Sequence, residues 1–213
     1  MTCNGDAALN KVNQTRWLSL MEQLGFSDNL AVFSELYTAY SEPHRRYHTV
    51  KHIDAVLKHL DSASALIENI EQVELALWFH DAVYAPFSSS NERDSARWAV
   101  QFLRDNKAST SMIDNVEALI MATVHSAKAR NADEALLVDI DLSILGVKPE
   151  VYQQFESDVR FEYRRVPYFL YKKKRKEVLQ SFLSRETIYQ SEFFIDKFEV
   201  QARVNLQAAL CAL

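Results

Sequence analysis

Residues Leu75 to Tyr84 read LALWFHDAVY. The neighbours Leu75, Ala76, Leu77, Trp78, Phe79, Ala82 and Val83 are apolar, so the segment is built for burial. His80 and Asp81 nevertheless stand side by side within it. A buried ionised carboxylate is costly unless it is paired or ligates a cation. Adjacent helical residues diverge by about 100°. The two side chains therefore do not simply share one hydrogen bond, but they can converge on an ion at the flank of the helix. A purely structural alternative is an Asp81 satisfied by a buried hydrogen bond, with His80 a bystander.

Working outward, the segment lies in a helix expected from about Ile70 to Val83, with Pro86 just past its end. Apolar residues recur at three and four nearly everywhere else, and strand-like alternation is scarce. Upstream, helices are expected over Asp6–Leu24, stopped by Gly25, over Asp28–Tyr40, and from Thr49 as a cap. Pro43 interrupts the pattern between the last two. Downstream, Ser90 or Asn91 caps a helix over Glu92–Leu103, and others follow over Ile113–Ser126 and Asp133–Gly146. Three more are expected over Val151–Arg164, Pro167–Ser184 and Ser191–Leu210. Three glycines and four prolines in 213 residues leave few turn residues for a sheet protein. The expected fold class is all-α: a single-domain helical bundle over 1–213, with a motif-bearing core at about 40–145 and C-terminal helices 150–210 packed on it.

Composition narrows the function. A formal net charge of −5 gives no push toward a nucleic-acid polymer. No run of apolar residues is long enough for a membrane span, and MTCNGDAALN lacks a secretion-signal pattern, so a cytoplasmic setting is expected. Cys3 and Cys211 are expected to be free thiols in a reducing compartment. The basic run YKKKRKE, Tyr171 to Glu177, reads as a solvated helix face or as an anion-binding patch.

Two further fragments carry polar chemistry in apolar company. His48 and His52, spaced i and i+4 in RRYHTVKHI, share a face if both are helical. In VDIDLSILG, Asp139 and Asp141 alternate with Val138, Ile140 and Leu142, so at most one of them faces a common site. His48, His80, Asp81 and Asp141 then form a mixed nitrogen–oxygen set. Such a set suits Mn²⁺, Fe²⁺, Co²⁺, Ni²⁺ or Zn²⁺ and leaves open positions for water and substrate. His59 reads as exposed, and His44 has no evident role.

The order His, then His-Asp, then Asp resembles the HD superfamily of metal-dependent phosphohydrolases. NERDSARWA, LIMATVHS and VRFEYRRVP are similar to its predicted phosphohydrolase subgroup, from about Tyr40 to Leu206. The resemblance implies an all-helical fold holding one divalent ion (Mn, Co, Ni, Fe, Zn or Mg) between helices. It implies His48, His80, Asp81 and Asp141 as ligands, with Asp81 or Glu92 assisting the attacking water. His52 is placed to donate to substrate phosphate or to a carboxylate behind the ligands, His125 beside substrate phosphate or at a second ion, and Asp139 behind the ligands. Arg46, Lys128, Arg160 and Arg175 are candidate phosphate clamps. Because His125 is the one histidine between the doublet and Asp141, a single ion is expected. The implied activity is hydrolysis of a phosphomonoester, a nucleotide or a related small phosphate, by a chain that can also form a homo-oligomer. Two alternatives are a non-catalytic sensor of a phosphorylated ligand and, with less support, a di-iron oxygenase.

Overall fold

In the computed structural model the described residues are 3–125 and 128–213, with side chains from Asn10 onward. Among them are ten α-helices, two short 3₁₀ turns and no strand, as the periodicity expects. The helices are α1 (Cys3–Leu24), α2 (Leu30–Ala39), α3 (Val50–Ala63), α4 (Ile70–Phe79) and α5 (Asn91–Asp105), followed by α6 (Thr110–Ala122), α7 (Ala132–Asp141), α8 (Pro149–Glu162), α9 (Tyr168–Leu183) and α10 (Glu192–Ala212). No described helix is long and apolar enough to cross a membrane.

α4 is the central rod. It packs against α1, α3, α5, α6 and α7, and Val73 and every residue from Leu75 to Phe79 are buried. A helix apolar on all faces is stable only with neighbours on all sides, which is why this short segment organises the bundle. Trp17 from α1 meets Trp78 edge-on at 5.7 Å between ring centroids and also touches Phe33, Phe79 and Phe102. Its indole N–H donates to Asp28 O at 3.0 Å, so the buried ring leaves no polar atom stranded.

The expected boundaries shift where local chemistry intervenes. α4 stops at Phe79, so His80 and Asp81 sit on the turn leaving the helix and not within it. α1 ends as expected at Gly25, whose φ of +70° suits glycine. Thr49 and Ser90 stand at N-cap positions, but neither makes the expected side-chain capping bond; Ser109, Asn131 and Ser191 do make one. α6 ends at Ala122, and Ser126, the expected end, lies outside the described residues. The helix expected through Gly146 divides: α7 closes at Asp141 and Leu142–Gly146 tightens into a 3₁₀ turn.

That turn is pressed against α10. A Cβ added to Gly146 would lie 2.5 Å from Phe198 Cβ and 2.8 Å from its carbonyl oxygen. Asn205 donates its amide to Leu145 O and Val147 O at 2.8 Å each. Asp139 reaches the other end of the same contact. Its carboxylate accepts from the N–H groups of Gln190 and Ser191 and from the Ser191 hydroxyl at 2.6–2.8 Å. Asp139 thus fixes the start of α10, while Asp141, two residues on, turns to the opposite side, as the i, i+2 spacing requires. Cys211 is free and exposed, and the side chain of Cys3 lies outside the described residues.

Candidate metal centre

The turn after α4 is held from behind by a buried guanidinium. The last carbonyls of a helix lack intrahelical partners and carry the negative end of its dipole. At α4, Leu77 O, Trp78 O and Phe79 O are met by His80 Nδ1, the Tyr40 hydroxyl and Ala82 N–H, and Arg45 serves the turn beyond them: it donates to Asp81 O at 2.7 Å, Ala82 O at 2.9 Å and His48 O at 3.3 Å. Its remaining bond goes to Glu42 at 3.0 Å, and it lies over the rings of Tyr40 and Tyr84. The Tyr40 hydroxyl donates to Trp78 O at 3.1 Å and receives the Asp81 N–H at 3.3 Å. The backbone carrying the doublet is therefore fixed on two sides before any ligand arrives.

Four side chains meet in front of this turn: His52 from α3, His80 and Asp81 from the turn, and Asp141 from the end of α7. One donor atom from each falls within 4.8 Å of all the others, a group that can hold a metal ion. His52 Nε2 and His80 Nε2 are 3.0 Å apart. His80 Nε2 lies 3.1 Å from Asp81 Oδ2 and 3.6 Å from Asp141 Oδ1. His52 Nε2 lies 3.6 and 3.5 Å from the same two oxygens. Both imidazoles are buried.

The hydrogen bonding fits a cation. His80 Nδ1 is 2.7 Å from Leu77 O, which can only accept, so Nδ1 carries the proton. Nε2 of the neutral ring then presents a lone pair toward another imidazole nitrogen and two carboxylates. That arrangement is repulsive unless a proton or a metal ion sits among them. Protonation leans accordingly. Burial pushes His80 down, but Asp81 and Asp141 override it and raise His80 well above the usual histidine value. Burial dominates at His52 and lowers it. Burial also opposes ionisation of Asp81 and Asp141, yet their histidine neighbours hold both below the usual carboxylate range.

The ligand set differs from the expected one at one place. His48, the expected first imidazole, is outside the cluster and His52 stands in its position. The residues from Arg46 to Thr49 form a bend before α3, so the i, i+4 argument does not apply to His48. Its Nδ1 is bonded to Glu162 Oε2 at 2.7 Å, and its ring stacks on Tyr84 at 4.2 Å. His52, expected beside phosphate, is in fact one of the converging donors.

Other expectations scatter. His125 does reach the site: Nε2 bonds Asp141 Oδ2 at 3.1 Å, while its buried Nδ1 lacks a partner among the described residues. Glu92 lines the same cavity from the first turn of α5. Arg175 also lines it, with Nε and Nη2 donating to Glu156 at 3.0 and 2.6 Å. Arg46, Arg160 and Lys128 do not line it. Arg46 lies over the Phe161 ring. Arg160 donates to Tyr163 O and Val166 O and lies over Tyr171. Lys128 borders a separate cavity with Asp114, Glu117 and Glu134. In the basic run, Lys174 pairs with Glu177 and Arg175 with Glu156, and both cations lie along the cavity wall.

Glu162 and Arg45 are the residues that sequence reasoning missed. Glu162 is buried; one oxygen accepts the N–H groups of Arg46, Tyr47 and His48 at 2.7–3.1 Å, and the other accepts from His48 Nδ1 and the Tyr84 hydroxyl. Burial alone would push its carboxyl up, but these bonds, led by His48, bring it down to about 2. A signal existed: Tyr152, Phe155, Val159 and Glu162 form one i, i+3, i+7, i+10 stripe, so the carboxylate ends a buried face. Arg45 carries no such sign, because its role depends on where α4 ends.

The cluster lies at the wall of a cavity of about 510 Å³, roofed by α8, α9 and α10. No family model, curated protein or solved structure matches the chain.

Proposed function

We propose that this chain is a metal-dependent phosphohydrolase of the HD type, acting on a phosphomonoester with one divalent ion held by His52, His80, Asp81 and Asp141. The observation that carries the reading is the meeting of four ligand atoms within 4.8 Å at the wall of a ligand-sized cavity. With His52 as first imidazole, the chain keeps the order His, His-Asp, Asp. Two imidazoles and two carboxylates favour Mn²⁺, Fe²⁺, Co²⁺, Ni²⁺ or Zn²⁺ over Mg²⁺, which prefers oxygen donors.

When bound, a divalent ion acidifies water and draws charge from a phosphoryl oxygen. The remaining work falls to this chain's own side chains. Asp81, held ionised beside His80 and His48, would help grip the ion and orient the attacking water. Glu92 is the proton acceptor on the cavity wall. His48 is raised in pKa by Asp81 and Glu162 against the effect of burial, and its Nε2 is left to donate to a phosphoryl or leaving oxygen. Nδ1 of His125, without a partner among the described residues, offers one more polar contact.

The test is phosphate release from a panel of phosphomonoesters during titration with Mn²⁺, Co²⁺, Ni²⁺ and Mg²⁺. Activity is expected with the first three ions, abolished by chelator, and reduced at least about a thousandfold by Asp81→Ala. Undiminished turnover by metal-free Asp81→Ala protein would reject the proposal.

A further inference from the structure

The cavity is divided by chemistry. Its polar side holds His48, Asp81, Glu92, His125 and Asp141, all from chain before residue 142. Its far side comes from the 3₁₀ turn, α8, α9 and α10, and is almost entirely aliphatic and aromatic. Leu145, Phe155, Val159, Leu170, Val178 and Phe182 present no hydrogen-bonding group there. The two cations on that side have acidic partners, Arg175 with Glu156 through Nε and Nη2 and Lys174 with Glu177 at the exposed rim. Leu170 and Val178 remain 45% and 41% exposed although they line the cavity, so part of this apolar wall lacks a partner.

Resting on the phosphohydrolase reading, we infer that the substrate is an amphiphile: a phosphate head at the ligand cluster joined to an alkyl or aryl body that fills the apolar side. A nucleotide suits the far wall poorly. Its ribose hydroxyls and base edges would leave water for a wall with few polar atoms, the Tyr163 and Tyr171 hydroxyls and the acid-paired Lys174 and Arg175, which costs affinity for each group left unpaired. An alkyl chain loses no hydrogen bond on entering and gains about fourfold in affinity per buried methylene. A divalent ion at the cluster would place the head there by coordinating its oxygens, with His48 beside it on the cavity wall.

The experiment uses the full chain loaded with Mn²⁺. Hydrolysis of ethyl, butyl, hexyl and octyl phosphate is compared with that of AMP, and binding of the matching alkyl phosphonates, which are not hydrolysed, is measured by calorimetry. kcat/KM is expected to rise by at least about a hundredfold from ethyl to octyl phosphate, with AMP no better than ethyl phosphate. Phosphonate affinity is expected to rise in parallel. The double variant Leu170→Gln, Val178→Gln, at half-exposed positions that spare the fold, is expected to flatten the chain-length slope. Turnover that ignores chain length, or prefers AMP to octyl phosphate, overturns the inference and leaves the hydrolase reading standing. Chain-length-dependent phosphonate binding with no turnover of any ester removes the hydrolase reading and keeps the amphiphile site. Phosphonate binding that is absent or independent of length overturns the inference.

Discussion

His48 and His52 lie four residues apart, yet only His52 belongs to the group that could hold a metal ion. Periodicity could not separate them, because the choice turns on where α3 begins. Thr49 is the N-cap, so His52 is helical and buried while His48 lies in the bend and is claimed by Glu162. His52→Ala is expected to abolish tight Mn²⁺ binding in calorimetry. His48→Ala is expected to keep affinity within about tenfold, as for a group outside the coordinating set. Equal losses in both variants would put His48 back among the ligands. Glu162 makes a second test at this scale. Its folded pKa of about 2 lies below the ordinary value of 4.5. Its stabilising contribution is therefore complete above about pH 4.5 and disappears as pH falls toward 2. Between those limits the wild type is expected to lose stability more steeply than Glu162→Gln, as read from denaturant midpoints at each pH. Parallel profiles would show that Glu162 is not held ionised by the fold.

Helices were largely legible at the scale of elements, because three-and-four periodicity and scarce glycine act along the local chain. Their ends were not. Periodicity extends α4 through Val83, but the chain leaves the helix after Phe79, where Arg45, remote in sequence, donates to Asp81 O and Ala82 O of the turn. That early exit lets adjacent residues serve one centre, which continuous helical geometry would hinder. The split of Asp133–Gly146 was equally hidden, since it reflects the approach of α10 to Gly146. Gly146→Ala is expected to lower stability by about 1–3 kcal/mol through overpacking against Phe198, measured by denaturant unfolding. A loss below about 0.5 kcal/mol would mean that α10 yields easily at this contact.

Across the whole molecule, the all-α class followed from composition and spacing, and Asp81 and Asp141 followed from the cost of burying carboxylates. The phosphate clamps did not. A basic residue in sequence does not reveal its partner, and Arg46, Arg160 and Arg175 are taken up by an aromatic ring, by carbonyls and by Glu156 respectively. One core runs from α4 and its neighbours into α8, α9 and α10; α3, α7 and the turn after α4 bring together the group that could hold a metal, and α8, α9 and α10 line the apolar side of the cavity beside it. The most direct test is anomalous diffraction at the manganese edge from crystals equilibrated with Mn²⁺. One peak per chain is expected, within about 2.5 Å of donor atoms from His52, His80, Asp81 and Asp141 and out of coordinating reach of His48. Absence of a peak there, or a peak bound through His48 in place of His52, would contradict the proposed metal centre.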